Sequence, residues 1–298
     1  MGGVHSSVAL AGPGPGGQTY TERPPVRALA GLVSSVWVQQ VAPDAQPYTH
    51  RNIPNGGVEL LCRVGGVPRA VGPLTGPLVE VLEPGATVVG VRFHPGAAPS
   101  VLGLPASALV DLTLEMDELW GRSGVALGEL VDAAPSPEAA LAVLQGRLVR
   151  RLGDAADPDP LVSEAVRQLR WLTEDVGALT SSLYISERQL RRRCQAAVGL
   201  APKPLHRMLR FQGFLALAQH AIAQGKAPTD DGLAMLAAEA GYADQAHLSR
   251  ECVRLTGVTP RTFLGETEHT CACGHDHAAS FAPLLRSRPG PQARPALV

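Results

Sequence analysis

Hydrophobic and polar positions divide the chain into a first half with short apolar runs and a second half with helical periodicity. In the first half, Gly and Pro separate the apolar runs 58–64, 78–82 and 87–93, which predicts short strands. A helix is predicted near 137–152, and helices are predicted from 161 to about 264. The expected fold class is therefore α+β, with a small β-rich domain followed by an all-α domain.

Composition shifts along the chain predict five segments. Residues 1–22 are rich in Gly and Pro with almost no large apolar side chains, so we expect a disordered tail. We expect the β-rich domain, with helices at its C-terminal end, over 23–153, and the acidic segment 154–160, which carries two prolines, is typical of a linker. The all-α domain is predicted over 161–265, and 266–298 is predicted to be a flexible tail bearing Cys and His.

Charge is distributed unevenly between these segments. Residues 1–159 hold 10 Lys and Arg against 15 Asp and Glu, a net charge of −5, whereas residues 160–265 hold 13 against 9, a net charge of +4. The remaining residues hold three of each sign. The basic part of the chain is therefore the part expected to meet an anionic polymer.

A helix-turn-helix pattern begins at Leu179. A first helix is predicted to end near Leu183, and Ser186 is suited to cap the N-terminus of a second helix. Gln189, three residues later, completes the spacing of a capping box. Leu190 and Cys194 are four residues apart, so they share one face of the second helix and are expected to point inward.

The same pattern recurs about 57 residues later, from Leu236 to Cys252. Gly241 suits a tight turn, Asp244 is the expected N-cap, and Leu248 and Cys252 occupy the inward positions. Each copy is followed by Gly and then Pro at equal offsets. An internal repeat of this kind is far more specific than a single helix-turn-helix match.

These residues resemble the AraC/XylS family of bacterial transcription regulators. The resemblance covers 161–265 and implies two helix-turn-helix units joined by a long helix, here expected over about 204–224. Two positions depart from the family pattern: Thr180 stands where the family usually has Ala, and Tyr184 where it usually has a turn Gly. The turn of the first unit is therefore expected to be altered.

The resemblance implies that both second helices read DNA, since a major groove admits one α-helix and exposes a distinct pattern at each base pair. It places seven side chains toward the bases: Arg188, Arg191, Arg192, Gln245, Ala246, His247 and Arg250. Four others are better suited to phosphate: Ser186, Arg193, Lys203 and Ser249. Gln189 belongs to the same predicted DNA-binding surface. Cys194 and Cys252, as small apolar residues, are expected in the core rather than as redox switches.

The segment 89–106 resembles the N-terminal domain of an actinobacterial subgroup of these regulators. The resemblance implies a β-rich sensor or dimerisation domain. Arg92 and His94 stand at the end of an apolar strand, where they either bind a ligand or only cap the strand and turn, and the second reading is preferred. Glu59 and Cys62 lie on opposite faces of their strand, so they do not form one cluster.

A Cys/His tract near the C-terminus is the one candidate metal site. Cys271, Cys273, His275 and His277 are ligands that Zn²⁺ prefers, although their spacing is too tight for the usual single tetrahedral site. Two readings stay open: a weakly binding tail, which is preferred, or a metal- or thiol-responsive regulator whose ligands are completed elsewhere or by a second chain.

Taken together, the sequence predicts a transcription regulator that binds double-stranded DNA, with a small-molecule effector and a homodimer as further candidate partners. No certain cofactor is expected, Zn being the one candidate. The chain shows no catalytic triad, P-loop or GxGxxG motif, so an enzyme is not expected. It has no apolar stretch of the roughly 18 residues that span a bilayer, so no membrane partner and a cytoplasmic location are expected.

Overall fold

The structure, a computed structural model, describes residues 17–153, 157–170, 176–224 and 230–264. Its first domain is built mainly of strands, as the short apolar runs predict. The strands are β1 (Gln18–Arg23), β2 (Val33–Val41), β3 (Tyr48–Asn52), β4 (Glu59–Arg63), β5 (Arg69–Val71), β6 (Leu78–Leu82), β7 (Thr87–Phe93) and β8 (Thr113–Glu115). The helices are α1 (Ala98–Leu102), α2 (Met116–Trp120), α3 (Arg122–Asp132) and α4 (Pro137–Leu152), with 3-10 turns at Arg27–Leu29 and Ala106–Ala108.

Six strands form one antiparallel sheet in the order β1-β2-β7-β4-β5-β8, and β3 pairs with β6 in a second, two-stranded sheet. Valines that alternate along β2 and β7 point to one face of the large sheet, where they pack against α1, α3 and α4. On the other face, Tyr20, Trp37 and Leu61 meet Tyr48 and Leu82 of the two-stranded sheet. The large sheet is thus covered on both sides.

The predicted N-terminal tail is too long. β1 begins at Gln18, inside the segment 1–22, and the side chains of Tyr20 and Glu22 are buried in the sheet. The pattern was missed because the buried positions of this strand are mostly polar, so it lacks the alternation of apolar and polar residues that marks a half-buried strand. Residues 1–16 lie outside the described part of the chain.

The second domain consists of helices. They are α5 (Pro160–Leu169), α6 (Val176–Ser182), α7 (Glu187–Val198), α8 (Pro202–Ala223), α9 (Asp230–Glu239) and α10 (Gln245–Thr256). Buried residues of all six helices form one hydrophobic core. The predicted α+β class is confirmed, with the β-rich domain first and the helical domain second. Over the described ranges, no helix is long and apolar enough to cross a membrane.

Two predicted helix limits shift by a few residues. The α5 helix begins at Pro160, within the predicted linker 154–160, because the Asp159 carboxylate accepts hydrogen bonds from its first free N–H groups. The long joining helix α8 begins at Pro202 rather than near 204, since Pro202 suits the first turn of a helix.

The two domains touch along the C-terminal ends of α7 and α10. Gly199 ends α7 with φ of +82° and lies so close to the first domain that a Cβ there would be 2.9 Å from the Ala106 carbonyl oxygen. Arg51 of β3 donates a 2.8 Å hydrogen bond from Nη1 to the carbonyl oxygen of Thr256, the last residue of α10. In addition, Gln212 of α8 donates from Nε2 to the Pro54 carbonyl oxygen at 2.9 Å.

Candidate nucleic-acid interface

The first helix-turn-helix unit consists of α6 and α7. Ser186 caps α7: its hydroxyl accepts from the Gln189 N–H at 3.3 Å, and the Gln189 side chain accepts from the Ser186 N–H at 3.0 Å. The predicted capping box is confirmed. Leu190 and Cys194 are fully buried, which confirms their inward orientation.

The second unit consists of α9 and α10. Asp244 caps α10 by accepting the His247 N–H at 2.6 Å. Leu248 and Cys252 are fully buried, so they match Leu190 and Cys194 of the first unit. The internal repeat is therefore a structural repeat, with both second helices resting on one shared core.

The turns of the two units differ in length. Gly241 has φ of +82° and is followed by two residues before the N-cap Asp244, whereas Tyr184 has φ of +54° and is followed by one residue before the N-cap Ser186. In each turn, the residue after Tyr184 or Gly241 donates its N–H to the carbonyl oxygen of the residue five positions earlier. This bond joins Ile185 to Thr180 at 3.2 Å in the first unit and Tyr242 to Ala237 at 2.9 Å in the second. Tyr184 thus takes the place of the turn glycine, as the departure from the family pattern predicts.

Arginines cover the outward face of α7. Arg188 and Arg192 lie opposite the buried Leu190 and Cys194, and both are exposed, as is Arg191 on the flank. These three side chains are free to meet DNA. Their contacts with bases remain predictions.

Arg193, predicted to contact phosphate, is engaged within the protein. Its Nη1 lies 2.7 Å from Oδ2 of Asp159, the residue that caps α5. The side chain therefore braces α7 against α5. A contact of Arg193 with phosphate would compete with this ion pair.

The outward face of α10 carries fewer charges. Ala246 and Arg250 lie opposite the buried residues and are exposed, and they correspond to Arg188 and Arg192 in the repeat. Ser249 lies beside them and is half-buried, as is Gln245 at the start of the helix. Arg250 and, one turn later, Arg254 are the basic residues of this face, and Arg254 is paired with Glu251.

His247 faces sideways rather than outward. Its ring meets the Tyr242 ring edge-on at 5.2 Å between centroids, and its Nε2 lies 3.5 Å from Nη2 of Arg210 on α8. The Arg210 guanidinium also lies 4.5 Å from the centre of the Tyr242 ring. Of the four positions predicted to face the bases on α10, His247 is thus the one held by the joining helix.

The remaining predicted contact, Lys203, is exposed in the first turn of α8.

Burial raises the pKa of the thiols of Cys194 and Cys252 to about 11. Both thiols therefore stay protonated near neutral pH, which agrees with a packing role.

The Cys/His tract lies outside the described residues. Because Cys271, Cys273, His275 and His277 all follow Leu264, the weakly binding tail and the metal- or thiol-responsive regulator both stay hypotheses. Within the described ranges, no three His, Cys, Asp or Glu side chains come together in a way that could hold a metal ion.

A buried charge cluster in the β-rich domain was not predicted. Arg92 donates from Nη1 to Glu22 and from Nε to Glu59, both at 2.7 Å, and the Tyr20 hydroxyl donates to Glu22 at 2.7 Å. Although burial alone would lower the pKa of Arg92, the charges of this cluster, led by Glu59, raise it well above its ordinary value. The sequence patterns paired Arg92 neither with Glu59, 33 positions away in the chain, nor with Glu22, which fell in the predicted tail.

Comparison with known families agrees with this geometry. Residues 179–266, which contain both units, match the model of a helix-turn-helix domain, and residues 21–115 match a domain of unknown function, DUF6597. The C-terminal domain is an AraC-type helix-turn-helix domain. The chain is accordingly a DNA-binding transcription regulator, and the predicted family resemblance is confirmed.

Solved structures similar to this chain include ToxT from Vibrio cholerae. The crystal structure of ToxT from strain O395 is 12% identical, with a TM-score of 0.43, covering 80% of this chain and 96% of ToxT. Wild-type ToxT from strain SCE256 with a bound unsaturated fatty acid is 13% identical, with a TM-score of 0.39, covering 79% and 90%. No curated protein sequence matches this chain.

Proposed function

We propose that the protein reads its operator by placing α7 and α10 in two successive major grooves on one face of the DNA. The observation that carries this proposal is the pair of repeat-related helices, capped alike and packed on one core, with Arg192 and Arg250 at equivalent outward positions. An Arg side chain can donate two hydrogen bonds to guanine, so each helix has at least one group able to read sequence.

Selection of duplexes from a randomised pool by the full-length protein tests this proposal. We expect two short blocks of preferred base pairs with centres about 10 base pairs apart, because helices entering successive major grooves on one face lie one helical turn apart. A single preferred block, or no preference at all, would contradict the proposal.

We further propose that the first domain controls this binding, through a ligand or through dimerisation, by way of its contacts with the recognition helices. The segment 51–57 supports this route. Arg51 and Pro54 contact α10 and α8, whereas Asn52 and Asn55 donate hydrogen bonds to Glu59 at 3.5 and 3.1 Å.

The same segment borders a small recess. It is shallow and has no room to enclose even one water molecule, and Asn52, Asn55 and Glu59 are among the residues that line it. Glu59 belongs to the buried charge cluster around Arg92. A shift of side chains at the recess or in the cluster would therefore be passed through the segment 51–57 to its contacts with α10 and α8.

Replacing Arg51 by Ala tests this route. The variant loses the hydrogen bond to the Thr256 carbonyl, so α10 is held less firmly relative to α7. We expect affinity for a two-block site to fall about 3- to 10-fold, the effect of one hydrogen bond, while affinity for a site with the α7 block alone is unchanged. Fluorescence anisotropy with both duplexes gives the two values.

Arg63→Ala is the matched control, because Arg63 is an exposed arginine on a strand of the same domain. It should bind both duplexes like the unchanged protein. Equal losses on the two duplexes for Arg51→Ala would mean that Arg51 does not act through the placement of α10.

A further inference from the structure

Tyr184 is unfavourable for the fold in two respects. Its backbone has φ of +54°, in a region that residues with a Cβ adopt at a cost and where the second unit has Gly241. Its side chain is 95% exposed, so the aromatic ring gains almost no burial from folding. A glycine at this position would suit the turn better.

The side chain of Tyr184 points away from the core. Leu183 and Ile185, on either side, pack against the hydrophobic core of the second domain. Tyr184 stands two residues before Ser186, the N-cap of α7, and Arg188 is exposed about half a turn beyond that cap. The hydroxyl is therefore exposed to solvent beside the N-terminal end of the recognition helix α7.

We propose that Tyr184 is a positioning residue for DNA, its hydroxyl donating a hydrogen bond to a phosphate beside the groove that α7 enters. This inference rests on the proposed function. A Tyr hydroxyl is a neutral donor of the kind that fixes register on phosphates without reading bases. It also accounts for an aromatic side chain that the fold itself does not use.

Two variants of the full-length protein separate this role from a structural one. We expect Tyr184→Phe to weaken binding about 3- to 10-fold on every duplex tested, since one neutral hydrogen bond is lost. Because no charge is removed, the dependence of affinity on salt concentration should keep its slope, whereas loss of a phosphate-bound Arg or Lys lowers that slope by about 0.9.

Tyr184→Gly should move stability and binding in opposite directions. We expect its Tm to rise by about 2 to 6 °C, since glycine accepts this backbone conformation, while its affinity for DNA falls at least as far as that of Tyr184→Phe. Differential scanning calorimetry and fluorescence anisotropy, with duplexes from the pool selection, give the two measurements. If Tyr184 had only a structural role, the variant with the higher Tm would bind DNA at least as tightly as the unchanged protein.

Arg192→Ala distinguishes failure of this inference from failure of the proposed function. If Arg192→Ala weakens binding but both Tyr184 variants bind like the unchanged protein, the inference is overturned and the proposed function stands. If Tyr184→Gly loses affinity for DNA but Tyr184→Phe does not, the proposed hydrogen bond from the hydroxyl to phosphate is wrong. If the Tyr184 variants bind DNA normally but alter transcription in a purified system, Tyr184 contacts a protein partner instead. This result would also overturn the inference.

Discussion

Replacing Arg92 by Ala is expected to lower the free energy of unfolding by about 3 to 5 kcal/mol. The side chains of Glu22 and Glu59 are 0% and 5% exposed, and Arg92 lies between their carboxylates. Without the guanidinium, two buried negative charges lose their shared counter-charge and cannot regain water. Chemical denaturation followed by circular dichroism measures the loss.

Arg23→Ala is the control for this experiment. Arg23 pairs with Glu138 at 3.6 Å, but both side chains are about 40% exposed, so removal of this pair should change stability by less than about 1 kcal/mol. Equal, small losses for the two variants would show that the cluster contributes little to the stability of this domain.

Arg192→Ala and Arg250→Ala should each weaken operator binding by about 1 to 3 kcal/mol, roughly 5- to 150-fold. Each variant removes one outward arginine from one recognition helix, so each should relax base preference at one position within one block of the operator and leave the other block unchanged. Anisotropy titrations with duplexes mutated one base pair at a time resolve the two blocks.

Lys203→Ala provides the contrast, because Lys203 is exposed at the start of α8 and is expected to contact phosphate. It should weaken binding to all sequences alike and lower the salt slope by about 0.9. If all three variants lose affinity uniformly, the division into base-reading and phosphate-binding residues is wrong.

The helix-turn-helix repeat was predictable because its signals are local. N-caps at Ser186 and Asp244, buried positions four residues apart, and a turn glycine at Gly241 all act within one or two turns of helix. The altered turn at Tyr184 followed from its departure from the family pattern, which usually has Gly at this position. For this part of the chain, short-range sequence patterns determine the local structure.

Other features depend on contacts between distant segments. The ion pair of Arg193 with Asp159 and the packing of His247 against Arg210 join residues 34 and 37 positions apart, and each alters the surface that a single helix would predict. In the first domain, Glu22 is 70 positions from Arg92. No periodicity in one segment reveals such partners.

The unlike outward faces of α7 and α10 give the bound protein a direction along the DNA. With unlike turns and unlike outward faces, the halves of the DNA-binding domain cannot exchange places on a site. Inverting an operator in front of a gene would therefore turn the first domain to face the opposite way along the duplex. Orientation of the site, as well as its sequence, then becomes part of what the promoter specifies.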